Sequence, residues 1–186
     1  MVSEGMKKIE NILSLNPDDF IRSFSSYMNE IHLYGPLKII EESPTFLVQI
    51  IRRLVELDVA KLTKTAPQSI DMFMDILWES ISLVATKKGL LDSVINDTIR
   101  VSVNFDASDS PLRSHFVINQ GTLSGGSGML HFKDQDWRYL ATTETLLKAL
   151  AGDIAWGKLK REGHPGLAPK MRPVLQAINS IIRGDA

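Results

Sequence analysis

The sequence predicts an α+β protein: helix after helix as far as Gly89, then a small five-stranded sheet interleaved with helices. Three observations carry this reading. Apolar residues recur at three- and four-residue spacing through the first half, strict alternation sets in at residues 98–105, and the breaks carry capping and turn residues.

Asn16-Pro17-Asp18-Asp19 reads as a helix start. Asn16 can accept from a free amide, Pro17 has no amide to leave unpaired, and both acids face the positive helix end. The helix that follows aligns Phe20, Ile21, Phe24, Tyr27, Met28 and Ile31, and Gly35-Pro36 ends it. Ser43-Pro44 opens a second helix with Leu47, Ile50, Ile51 and Leu54 as its stripe. A third runs from Thr65-Ala66-Pro67 toward Lys87-Lys88-Gly89, apolar over most of its girth from Ile70 to Val84, with a narrow polar line at Asp71, Asp75, Glu79 and Ser82. Such a helix is buried on several sides, as a packing spine or as part of a dimer contact.

Residues 98–105 alternate Ile99, Val101, Val103 and Phe105 against Thr98, Arg100, Ser102 and Asn104, the period of a half-buried strand. Further strands are expected at Ser114 to Asn119, Met129 to Lys133, Asp136 to Ala141 and Gly157 to Arg161. The hairpin turns either tightly at Gln120-Gly121 or widely around Gly125-Gly126. Helices at Thr143–Ala151, capped by Thr142 or Thr143, and at about Gly166 to Ile182 complete the order.

Composition bounds the function. Of 186 residues, 44% are apolar and 23% charged, which fits a folded soluble protein and disfavours disordered and membrane-spanning classes. With no cysteine there is neither a disulfide nor a thiolate nucleophile, which suits the cytoplasm, and no signal peptide is recognisable at the amino terminus. The net charge of -1 conceals -4 over residues 1–97 and +3 over 98–186, and no overall field draws nucleic acid.

Catalytic and metal motifs do not assemble. Gly121 to Gly128 lacks the lysine and hydroxyl of a phosphate loop and is flanked by strands. His32, His115, His131 and His164 have no metal spacing; His115 and His131 could face each other across the hairpin but read better as solvent-facing. The line Asp71, Asp75 and Glu79 reads as a solvated stripe, and no serine or threonine sits in a nucleophile elbow. The chain is therefore expected to be no enzyme and to need no metal or cofactor.

The second half supplies the apolar candidates: Phe116, Ile118, Leu130, Phe132, Trp137, Tyr139, Leu146, Leu147, Leu150, Trp156, Met171, Leu175 and Ile178. They either fill a core or line a tunnel, and periodicity does not separate the two.

The run from Asp136 through Trp137-Arg138-Tyr139 to the leucine-rich helix ending at Gly152, followed by Gly157-Lys158-Leu159-Lys160-Arg161-Glu162-Gly163 and a closing helix, resembles the sterol carrier protein family, a sterol and lipid transfer domain. Asp136, Gly152, Gly157, Lys158, Leu159, Lys160 and Gly163 stand at the family's places. Only Asp153 to Trp156 separates Gly152 from Gly157, where family members carry a longer segment. The resemblance implies a mostly antiparallel sheet under helices and an apolar tunnel for acyl chains, over residues 67–186, with residues 1–66 as a helical extension.

The resulting expectation is non-catalytic binding or transfer of a fatty acid, acyl-coenzyme A or other lipid by a cytoplasmic protein with at most peripheral membrane contact. Lys158, Lys160 and Arg161 are the head-group candidates, within a basic stretch that reads equally well as a solvated edge strand. The alternative is a protein-interaction module without a small ligand, dimerising through its amino-terminal helices.

Overall fold

The computed structural model describes residues 3–90 and 100–186. Six helices come first: α1 (Glu4–Glu10), α2 (Pro17–Tyr34), α3 (Pro36–Glu42), α4 (Phe46–Glu56), α5 (Val59–Thr65) and α6 (Pro67–Lys88). Then follow β1 (Arg100–Ala107), β2 (Arg113–Asn119), β3 (Thr122–Ser127), β4 (Trp137–Ala141), α7 (Thr143–Ala151), β5 (Lys160–Gly163) and α8 (Ala168–Arg183). The fold is α+β, with sheet order β3-β2-β1-β4-β5. Every pairing is antiparallel except the parallel one between β1 and β4.

The caps form as the sequence indicates. Asn16 Oδ1 accepts from the Asp19 amide at 3.0 Å, and Thr142 Oγ1 accepts from the Thr145 amide at 3.3 Å. Ser43-Pro44 does not open α4 directly. It forms a turn, with the Phe46 amide donating to Ser43 O, and the helix begins at Phe46. On α2 the buried residues are Phe20, Phe24, Met28 and Ile31, whereas Ile21 is 40% exposed.

Helix α6 is the spine. Phe73 packs toward Phe24 of α2, and Trp78 lies against Phe105 and Phe116 of the sheet with centroids 5.6 and 5.3 Å away. Most of its apolar girth is thus covered within the chain, although Leu83 is 37% exposed. Buried side chains of residues 3–66 and of the sheet half meet in one continuous core.

The hairpin takes the tight alternative. Gln120 and Gly121 have φ of 49° and 76°, so two left-handed residues turn the chain and β3 starts at Thr122. The glycine cluster therefore lies in the strand. A Cβ on Gly125 would sit 2.6 Å from His115 O and 3.0 Å from the Trp78 ring, so the missing side chain admits Trp78 against the sheet. Asp75 Oδ1 accepts from the Ser127 amide, and Ser82 Oγ donates to Leu123 O, so α6 satisfies backbone groups of β3.

The strand expected at Met129 to Lys133 is absent. These residues lie in the β3–β4 connection, which must cross the sheet because β4 pairs with β1 rather than β3. That crossing explains a second departure. Thr98 and Ile99 of the expected first strand lie outside the described residues, but Ser102 and Asn104 on its polar face, and Asp106 just past its expected end, are buried. Asn104 Nδ2 donates to Leu130 O and Gln135 Oε1, its Oδ1 accepts from the Leu130 amide, and Asp136 Oδ2 accepts from the Ser102 amide at 2.9 Å. Strand β5 begins at Lys160, because Trp156–Lys158 form a 3-10 turn first.

Candidate functional site

The helices do not cover the sheet evenly. Helix α6 lies on the β3 side and α7 on β1 and β4, while α8 packs against α4, α6 and α7. The outer half of β4 and all of β5 stand away from α8, and every residue of β5 is exposed. Between them lies a cavity of about 850 Å³, within the range of small-molecule sites.

Its apolar lining comes from Trp137 and Tyr139 on β4, Ile154, Ala155 and Trp156 in the α7–β5 connection, and Ala168, Met171 and Leu175 on α8. The two β4 residues share a face because they are two apart on a strand. Tyr139 stacks on Phe105 with centroids 5.8 Å apart and planes 9° apart, and Trp156 tilts onto both rings. Trp156 Nε1 donates to Asn179 Oδ1 at 2.8 Å. Asn179 Nδ2 in turn donates to Ala149 O and Leu150 O at the end of α7.

The polar lining is cationic. Arg161, Arg172 and Arg183 border the cavity with Asp153, Gln176, Asn179 and Ser180. Asp153 is bound by Arg52 at 2.6 Å, and Arg183 reaches Asp185 at 3.0 Å. Arg161 lies over the Trp137 ring, 5.8 Å from its centroid. Burial pushes the Tyr139 phenol above its usual range, with the Arg161 charge acting in the opposite direction.

Of the sequence candidates, Trp137, Tyr139, Trp156, Met171 and Leu175 meet at this cavity. Phe116 and Ile118 on β2, Leu146, Leu147 and Leu150 on α7, and Ile178 on α8 are buried in the closed core instead. Leu130 and Phe132 belong to the crossing segment, and Phe132 is 67% exposed. Among the head-group candidates only Arg161 borders the cavity. Lys158 and Lys160 point to solvent, and Lys160 meets Glu162 at 3.3 Å. Asn179 was missed, although a buried asparagine in the apolar phase Leu175, Ile178 and Ile182 of α8 is a readable signal.

Several motif residues serve the fold. Asp136 holds β1 through Ser102, Gly152 caps α7, and Gly163 sits against Asp136 O, 2.5 Å from where a Cβ would be. A second hollow of about 360 Å³ lies between His32 of α2 and Gln68, Asp71, Met72, Asp75, Ile76 and Glu79 of α6. Burial, then the neighbouring Asp75, raises the Asp71 carboxyl. Among the described residues no group of three histidines, cysteines or acids is placed to hold a metal, and no helix is long and apolar enough to cross a membrane. His115 and His131 do not face each other: His115 Nδ1 lies 3.1 Å from Gly128 O, while His131 packs on Phe132.

The chain is similar to a UbiJ-SCP2 ubiquinone synthesis protein of solved structure. The likeness has a TM-score of 0.42 at 12% identity and covers 62% of this chain and 93% of that one. A second solved structure, the stereoselective inverting sec-alkylsulfatase Pisa1 from Pseudomonas sp., gives a TM-score of 0.38 at 12% identity, over 93% of this chain and 29% of that one. No family model and no curated protein matches the chain.

Proposed function

We propose that this protein binds a hydrophobic ligand, a fatty-acyl chain or similar lipid, in the cavity between β4, β5 and α8, and carries it without covalent chemistry. The observation that supports this is the cavity itself: about 850 Å³ walled by Trp137, Tyr139, Trp156, Met171 and Leu175. Aromatic and methionine walls suit a flexible apolar chain, because their contacts are non-directional and methionine adapts its shape. Each methylene withdrawn from water contributes about 0.8 kcal/mol, so a long chain supplies affinity with few polar contacts.

Native mass spectrometry of the purified chain, followed by solvent extraction, tests the reading. The expected result is a co-purified lipid, or saturable uptake of a fluorescent fatty acid that is lost when Leu175→Trp fills the cavity. Neither bound lipid nor uptake in the folded wild type contradicts it.

A further inference from the structure

The polar groups at the cavity are placed as a set. Tyr139 and Arg161 are directly opposed across the antiparallel β4–β5 pair, so their side chains rise on the same face. Trp137, two residues before Tyr139, is opposed by Gly163, which has no side chain. The face of the indole is thereby left to Arg161, whose guanidinium lies 5.8 Å from the ring centroid.

Trp137 is 3% exposed, and its Nε1 has no hydrogen-bond partner among the described residues. A buried indole N–H is normally paired, because desolvating it without an acceptor is unfavourable. It is directed at the Tyr139 oxygen, whose ionisation it favours, without meeting hydrogen-bond geometry. Arg161 has no carboxylate within ion-pair distance among the described residues, and neither has Arg172 on the facing helix. The carboxylate that borders the cavity, Asp153, is engaged by Arg52. Arg161 and Tyr139, on two adjacent strands, thus line a cavity whose bordering carboxylate is already engaged, with the buried Trp137 indole N–H beside them.

We propose that Arg161 and the Tyr139 hydroxyl, supported by the buried Trp137 indole N–H, form an anion pocket that takes the carboxylate or phosphate oxygens of an amphipathic ligand, with the apolar tail along Met171, Leu175 and Trp156. This rests on the cavity being the lipid site and adds which end of the ligand is recognised, and by what. A guanidinium fork suits either oxyanion, and charge-assisted hydrogen bonds are stronger than neutral ones. Arg172 adds charge from the opposite side.

Calorimetric titration of the full chain at low salt tests the pocket with laurate, dodecyl phosphate, 1-dodecanol and inorganic phosphate, each below its aggregation concentration. Laurate or dodecyl phosphate should bind about 10- to 100-fold tighter than dodecanol, and Arg161→Gln should erase that margin without weakening dodecanol. Trp137→Phe, which keeps the ring and removes the N–H, should narrow it several-fold. Equal binding of laurate and dodecanol, or a margin unchanged in Arg161→Gln, overturns the pocket while leaving lipid binding in place. Inorganic phosphate binding as tightly as dodecyl phosphate overturns the amphipathic ligand in favour of a free anion. If none of the three chain-bearing probes binds, the lipid reading fails and the pocket fails with it.

Discussion

Trp156 Nε1 and Asn179 Oδ1 are joined at 2.8 Å, and through this bond the floor of the cavity is tied to α8. The same Asn179 holds the last carbonyls of α7 through Nδ2, so one side chain links the α7–β5 connection, α7 and α8.

Asn179→Leu should therefore cost more than its small change in volume. It strands the Trp156 indole and the Ala149 and Leu150 carbonyls, at about 1–3 kcal/mol for unsatisfied groups. Urea unfolding should show a lower midpoint with the slope unchanged, and the loosened Trp156 should alter the fluorescence spectrum. A midpoint equal to wild type contradicts the linking role.

Gly125 tests the sheet behind the cavity. A methyl group there meets His115 O and Trp78, so Gly125→Ala should destabilise by about 1–3 kcal/mol through overpacking. Gly157→Ala, where nothing lies within 4 Å of the new atom, serves as the comparison and should change the melting temperature little.

On the far face, Asp106 is 5% exposed and is held between Arg113, at 2.5 Å, and Arg138. Asp106→Ala leaves two guanidiniums beside a buried gap. A loss of about 3 kcal/mol is expected, the low end for breaking a buried pair, because both arginines reach water. Chemical denaturation of the variant measures it directly.

Acid sensitivity should arise at the amino-terminal helix. The Ser3 amide and hydroxyl and the Tyr34 hydroxyl hold the Glu42 carboxyl down to about 2, from an ordinary value of about 4.5. A lowered folded-state value means that the stabilisation is fully present above about pH 4.5 and fades as pH falls toward 2. Glu42→Gln should remove this part of the pH dependence in thermal melts between those limits, and an unchanged profile contradicts the assignment.

Local chemistry made most elements readable. Asn16, Pro17 and Thr142 announce helix starts, and the alternation from Arg100 to Phe105 announces a strand, because each depends on neighbours in sequence. The misplacement of β3 arose where local signals conflict with long-range packing. Gly125 and Gly126 offered a wide turn beside the tight one at Gln120-Gly121, yet they are strand residues because Trp78, nearly fifty positions earlier, needs the space. The same limit applies to the cavity. Leu147 and Leu175 are equally apolar and equally periodic, but the first, on α7, points into the closed core and the second, on α8, borders open space, since α8 is held by α4, α6 and α7 rather than by β5.

The most direct test of lipid binding at this cavity is a nuclear Overhauser experiment on the methyl-labelled chain with laurate bound. Contacts from the acyl methylenes to the Met171 ε-methyl and the Leu175 δ-methyls, absent in Leu175→Trp, are the predicted result. Contacts confined to Met72 and Ile76 in the α2–α6 hollow, or no intermolecular contacts at saturating laurate, would contradict it.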